Sequence, residues 1–167
     1  MGGRHSLELA LPGASIGAVA GAIAGGLTLL AGQPTGMAAL AALALAMPLG
    51  LFGGLYGMLL GHGVFRPGTF GPVGLYWMAA FPVSRLAQEV LAPTGGLAEG
   101  VPAFLAYQAM IALGFAIGFL WMHERLMPHW LVRRAGDNPL AKDLLGTYLR
   151  FARVVDKRRN ARKGARR

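Results

Sequence analysis

A helix needs about 20 residues to cross the hydrocarbon core of a bilayer. Three stretches of this chain, residues 12–32, 37–61 and 101–122, are at least that long and contain no Asp, Glu, Lys or Arg. No other feature constrains the fold as strongly, because a surface helix of a soluble domain needs a polar face and these runs have none. A fourth stretch, residues 72–92, is apolar apart from Ser84, Arg85, Gln88 and Glu89, and Pro82 interrupts it. None of the four alternates with the period of two that marks the strands of a membrane barrel. Charged residues make up 14% of the chain and its mean hydropathy is +0.49, whereas a soluble domain carries roughly 25% charge. There is no cysteine, so disulfides, thiolate metal sites and cysteine nucleophiles are excluded.

The pattern predicts an all-α, polytopic integral membrane protein with four transmembrane helices and a basic amphipathic C-terminal helix. Residues 1–131 form the four-helix domain, and residues 132–167 a basic cytoplasmic tail with a helix over about 139–157. Charge follows the same division. Residues 1–132 balance Arg4, Arg66, Arg85 and Arg125 against Glu8, Glu89, Glu99 and Glu124, so the whole net charge of +9 lies in residues 133–167. Lys and Arg concentrate on the cytoplasmic side of membrane proteins. With four spans, Arg4, Arg66 and the tail fall on one side, and the Gln33-Pro34-Thr35 and 93–100 loops, free of Lys and Arg, on the other. Both termini are therefore expected in the cytoplasm of a multi-pass inner-membrane protein. Arg in excess of Lys, with abundant Ala and Gly, fits a GC-rich bacterial genome. Tyr76, Trp77, Trp121 and Trp130 are expected as anchors at the inner interface. A cleaved leader is the alternative for the first span, but its apolar run exceeds the 7–15 residues typical of one.

Gly13, Gly17, Gly21 and Gly25 recur every four residues, and Gly53, Gly57 and Gly61 repeat the device in the second span. Small residues on one face let helix backbones approach closely in lipid, where no hydrophobic drive brings helices together and close packing must do so. Packing of spans one and two is the ordinary use of such a face; an interface with another subunit is the alternative. Arg85 and Glu89, four residues apart, share a helix face and form a candidate intramembrane polar pair. The competing expectation is that the third span ends near Val83 and that both charges reach water. His62 and His123 fall at corresponding ends of spans two and four, which makes haem ligation conceivable, although interfacial, solvated imidazoles are the ordinary reading.

Asp137-Asn138-Pro139 reads as a helix start, a capping residue followed by proline at the first helical position. Leu140, Leu144, Tyr148, Phe151 and Val155 then fall on one face, opposite Lys142, Arg150, Arg153 and Lys157. Such a helix is expected to lie in the headgroup plane, with Arg150, Arg153, Lys157, Arg158 and Arg159 against anionic lipid or a partner. Residues 157–167 beyond it are expected to be disordered. No catalytic constellation, metal site or cofactor motif is visible, and nucleic acid is not an expected partner. The sequence points to a small non-catalytic membrane protein, an accessory or assembly subunit that meets other membrane subunits or further copies of itself. An oligomeric transporter or channel using Arg85 and Glu89, and a haem-bearing anchor using His62 and His123, are the alternatives.

Overall fold

The computed structural model describes residues 2–164 and is all-helical over that range. Its helices are α1 (Gly2–Leu30), α2 (Thr35–Gly61), α3 (Phe70–Leu91), α4 (Val101–Arg134) and α5 (Pro139–Gly164). α1, α2 and α4 are long and apolar enough to cross a membrane. α3, with 22 residues, carries the polar groups that keep it out of that set.

α1 begins well before the proline at which the sequence suggested a start. Pro12 has no N–H, which leaves the Glu8 carbonyl four residues earlier without its helical donor. The Trp130 indole supplies one, donating from Nε1 to that oxygen at 2.9 Å. α3 likewise continues through Pro82 to Leu91. The turns beyond Val83 that carry Arg85 and Glu89 are thus helical.

Glycine determines how α1 meets α2. A methyl group added at Gly13 would collide with the Gly53 carbonyl, at Gly17 with the Leu49–Gly50 backbone, and at Gly21 and Gly25 with Ala46 and Ala42. Gly57 faces the Leu9 carbonyl in the same way. The backbones are therefore in contact along the whole length of the hairpin, whose chain reversal is the Gly32 turn at φ +78°. The α1 face that could have met another subunit is occupied by α2 of the same chain.

α3 runs antiparallel to α2. Near its start the Tyr76 hydroxyl donates to the Phe52 carbonyl at 2.6 Å, and near its end Gln88 Nε2 donates to the Ala41 carbonyl at 3.1 Å. Between these points lies an aromatic core. Trp77 is fully buried against Phe115 and Phe119, with ring centroids 4.7 and 4.6 Å away, and Tyr76 packs edge-on to it. The expectation that Tyr76 and Trp77 anchor the interface is thus corrected: they face inward. Interior packing takes these rings because the glycine-lined α1–α2 pair has little side-chain bulk to offer the centre of the bundle.

With 34 residues, α4 is roughly 51 Å long, well beyond a hydrocarbon core of about 30 Å. Its final turns, with Met127 and Leu131 fully buried and Trp130 bonded to Glu8, pack against the start of α1, and α5 docks on them. Ala141, Leu144 and Tyr148 of α5 are buried. The apolar face expected to rest on lipid therefore packs, over its first turns, on the protein itself. Helix also persists through Gly164, where disorder was expected beyond residue 157; residues 165–167 lie outside the described range.

Candidate functional site

The two members of the candidate polar pair sit on adjacent turns of α3 in different surroundings. Glu89 is buried, 3% exposed, and its carboxylate caps the loop that follows α3. It accepts from the Thr94 amide at 2.8 Å, the Thr94 hydroxyl at 2.7 Å and the Gly96 amide at 2.8 Å. Arg85 is half-buried on the preceding turn. Among the described residues no ion pair joins it to Glu89; the one salt bridge is Arg4–Glu8 at 3.9 Å. The carboxylate is engaged by main-chain donors instead, because the 93–100 loop folds back over the end of α3. Ser84 and Gln88 are buried beside it, Ser84 donating to the Ala80 carbonyl at 2.8 Å.

The two histidines considered for haem stand in different surroundings. His62 is exposed and its Nε2 lies 3.0 Å from Ser6 Oγ. His123 is fully buried, edge-on to Tyr56 at 4.9 Å and stacked on Phe119 at 5.5 Å. Neither of its ring nitrogens has a hydrogen-bond partner. Among the described residues no three His, Cys, Asp or Glu side chains come together as a metal site requires.

Functional interest concentrates at the end of the bundle where α1 starts and α2 stops. Three separate segments are pinned together there. Asn138 is buried, 1% exposed; its Nδ2 donates to the His5 carbonyl at 2.9 Å and to Glu8 Oε2 at 3.1 Å. Its Oδ1 accepts from the Ala141 amide at 3.2 Å, so one side chain caps α5 and ties it to α1. The 62–69 loop lies over α4 and α5. The Gly68 amide donates to Glu124 Oε1 at 3.1 Å, and the Phe151 ring covers Gly68 where a Cβ would stand. With φ +73°, Gly68 meets both the steric and the conformational demand of this position. The Tyr148 hydroxyl is buried near the Glu124 carboxyl, without a hydrogen bond of ordinary geometry. Burial and that carboxyl push its pKa up, so it stays protonated.

Between the 62–69 loop and the first half of α5 runs an open groove of about 790 Å³. Arg66, Lys142 and Arg150 line it, opposed by Asp143, over the rings of Phe65 and Phe151. Arg150 Nη2 donates to Thr147 Oγ1 at 2.9 Å, which steadies the guanidinium along the groove. Beyond it Arg153, Lys157, Arg158 and Arg159 are all exposed. Trp121 and Trp130, expected near this interface, lie under cations of α4, with the Arg125 and Arg134 guanidinium carbons 4.2 and 4.9 Å from their ring centres.

Sequence reasoning singled out Arg150 but not its partners in the groove. Arg66 reads as a charge added to a Pro/Gly-rich surface turn whose glycine amides could face an anion, and Lys142 as one member of the polar face of α5; only the fold-back of α5 brings them together. Asn138 was recognised as a cap, and its second bonding role had no local signal. Comparison with protein families, with characterised proteins and with solved structures finds no match to this chain.

Proposed function

We propose that this protein is a four-span, non-catalytic membrane subunit that presents a fixed basic helix to a partner at the cytoplasmic surface. The case for the fourth span is topological. α3 runs antiparallel to α2, and its Trp77 and Phe81 meet Phe119 and Phe115 of α4 in reverse order, so α2 and α4 run in the same direction. If both cross, the chain must return between them, and α3 is the only helix that connects them. Its outer face suits lipid, with Leu75, Val83, Val90 and Leu91 exposed. The cations of the α1 start, the 62–69 loop and α5 share one end, which the positive-inside rule makes cytoplasmic.

One observation carries the partner reading. α5 is held by buried contacts to α1 and α4 through Asn138, Leu144 and Tyr148, yet its second half projects with Arg153, Val154, Val155 and Lys157 all exposed. A helix so fixed at its root, with apolar and basic groups interleaved at its free end, suits a complementary surface better than bulk solvent.

A photo-crosslinking side chain at Val155, followed by purification in mild detergent, tests this. Crosslinking to one protein species in fixed stoichiometry is the expected result. Crosslinking only to lipid or to the chain itself would overturn the reading.

A further inference from the structure

We infer that the groove between the 62–69 loop and α5 is a binding site for the phosphodiester headgroup of an anionic phospholipid. This inference rests on the membrane placement argued above. Arg66 reaches the groove from the loop, and Lys142 and Arg150 from two turns of α5, so three cations from two chain segments face one volume of about 790 Å³. Asp143 is the only acid among them, which leaves the lining at net +2. A phosphate oxygen is the natural partner for convergent Arg and Lys donors.

The apolar part of the lining identifies the source of the phosphate. Phe65 and Phe151 stand in the same groove as the cations. A soluble phosphate has no use for those rings, whereas a phospholipid carries apolar glycerol ester and acyl groups next to its charge. Position agrees: the groove opens where α2 ends and α3 begins, at the end of the bundle where lipid-facing helix gives way to cationic surface. An acidic polypeptide would satisfy the cations too, but would cover the phenyl rings only with apolar side chains set in register with its acids, whereas every anionic phospholipid carries both groups together.

The test uses the full chain purified and placed in lipid nanodiscs containing phosphatidylglycerol, phosphatidylcholine or a mixture, with retained lipid counted by native mass spectrometry after release into detergent. The chain is expected to retain phosphatidylglycerol in preference to phosphatidylcholine. The double variant R66Q/R150Q is expected to weaken retention roughly thirtyfold, since each basic group near anionic lipid contributes about one kilocalorie per mole. Gly146→Leu narrows the groove without altering charge and is expected to lower retention as well, because Gly146 is part of the lining. R158Q/R159Q, outside the groove, is expected to leave it unchanged.

Equal retention of both lipids, or loss in R158Q/R159Q that matches the loss in R66Q/R150Q, would overturn the site in favour of diffuse charge. Protection by inorganic phosphate or by polyglutamate in the absence of any phosphatidylglycerol preference would assign the groove to a soluble anion or an acidic polypeptide. Failure to enter nanodiscs at all would instead overturn the membrane placement. Because the measurement uses the purified chain alone, it is independent of whether a protein partner exists.

Discussion

Gly17 and Glu89 show how much single residues control in a chain with so few polar groups. A Cβ at Gly17 would collide with the Leu49–Gly50 backbone, which cannot rotate away as a side chain end could. Gly17→Ala should therefore cost stability despite gaining roughly 0.8–1.0 kcal/mol of helix propensity, since overpacking typically costs about 1–3 kcal/mol. Gly114→Ala on α4 meets nothing within 4 Å and should be neutral or slightly stabilising. Unfolding in mild detergent, followed by circular dichroism, distinguishes them; equal stability of the two variants would mean the α1–α2 backbones are not in contact. Glu89 makes a different prediction from the one its spacing to Arg85 suggests. Glu89→Ala strips the Thr94 and Gly96 amides of their acceptor, a loss of about 1–3 kcal/mol, whereas Glu89→Gln keeps an acceptor oxygen and should be milder. Arg85→Gln should change little. A double-mutant cycle between positions 85 and 89 should give a coupling below about 1 kcal/mol, against roughly 3–5 for a broken buried pair.

At the scale of the element, α5 is a helix whose position depends on one side chain. Asn138 caps it through Oδ1 and ties it to α1 through Nδ2. Aspartate caps as well as asparagine does, but it has no amide to donate and would set a second carboxylate against Glu8. Asn138→Asp should thus preserve helix content while releasing α5 from α1, and Asn138→Ala should weaken both. Tryptic cleavage after Arg133 or Arg134 reports the release: faster cutting in Asn138→Asp at unchanged ellipticity is the expected result, and equal cutting rates would show that Leu144 and Tyr148 hold the helix unaided. The same element shows what the sequence could reveal. Its start at Asn138-Pro139 and its apolar spacing are local signals and were readable. The surface that spacing would meet was not, because a face of Leu140, Leu144 and Tyr148 suits a bilayer and a helix bundle equally well. The glycine repeat was legible for the same reason it works, since only close backbone contact rewards four glycines in register. Trp77 was misread because an aromatic near a span end looks identical whether it points to headgroups or to Phe115 and Phe119.

For the whole molecule, the arrangement of chain ends turns charge into a topology. The start of α1, the 62–69 loop and α5 are joined by hydrogen bonds from Asn138 to His5 and Glu8 and between Ser6 and His62, and by the Phe151 ring over Gly68, so they lie on one side of any membrane the bundle crosses. The 31–34 and 92–100 connections lie at the far end, where Gln88 of α3 reaches Ala41 of α2. An even number of crossings fits these contacts, since α1 and α2 form a hairpin and α3 runs back along α2 toward the start of α4. The sequence has no cysteine, so single introduced thiols report without background. Thr35→Cys and Glu99→Cys, both exposed, should react with a membrane-impermeant maleimide from the periplasmic side. Val64→Cys, 63% exposed in the opposite loop, should react only after the membrane is permeabilised. Reaction of Val64→Cys and Glu99→Cys from the same side would place only three crossings in the chain and remove α3 from the bilayer. Inversion of the whole pattern would keep the bundle but set its basic end outside, where the positive-inside rule gives twelve Lys and Arg after residue 132 no reason to be.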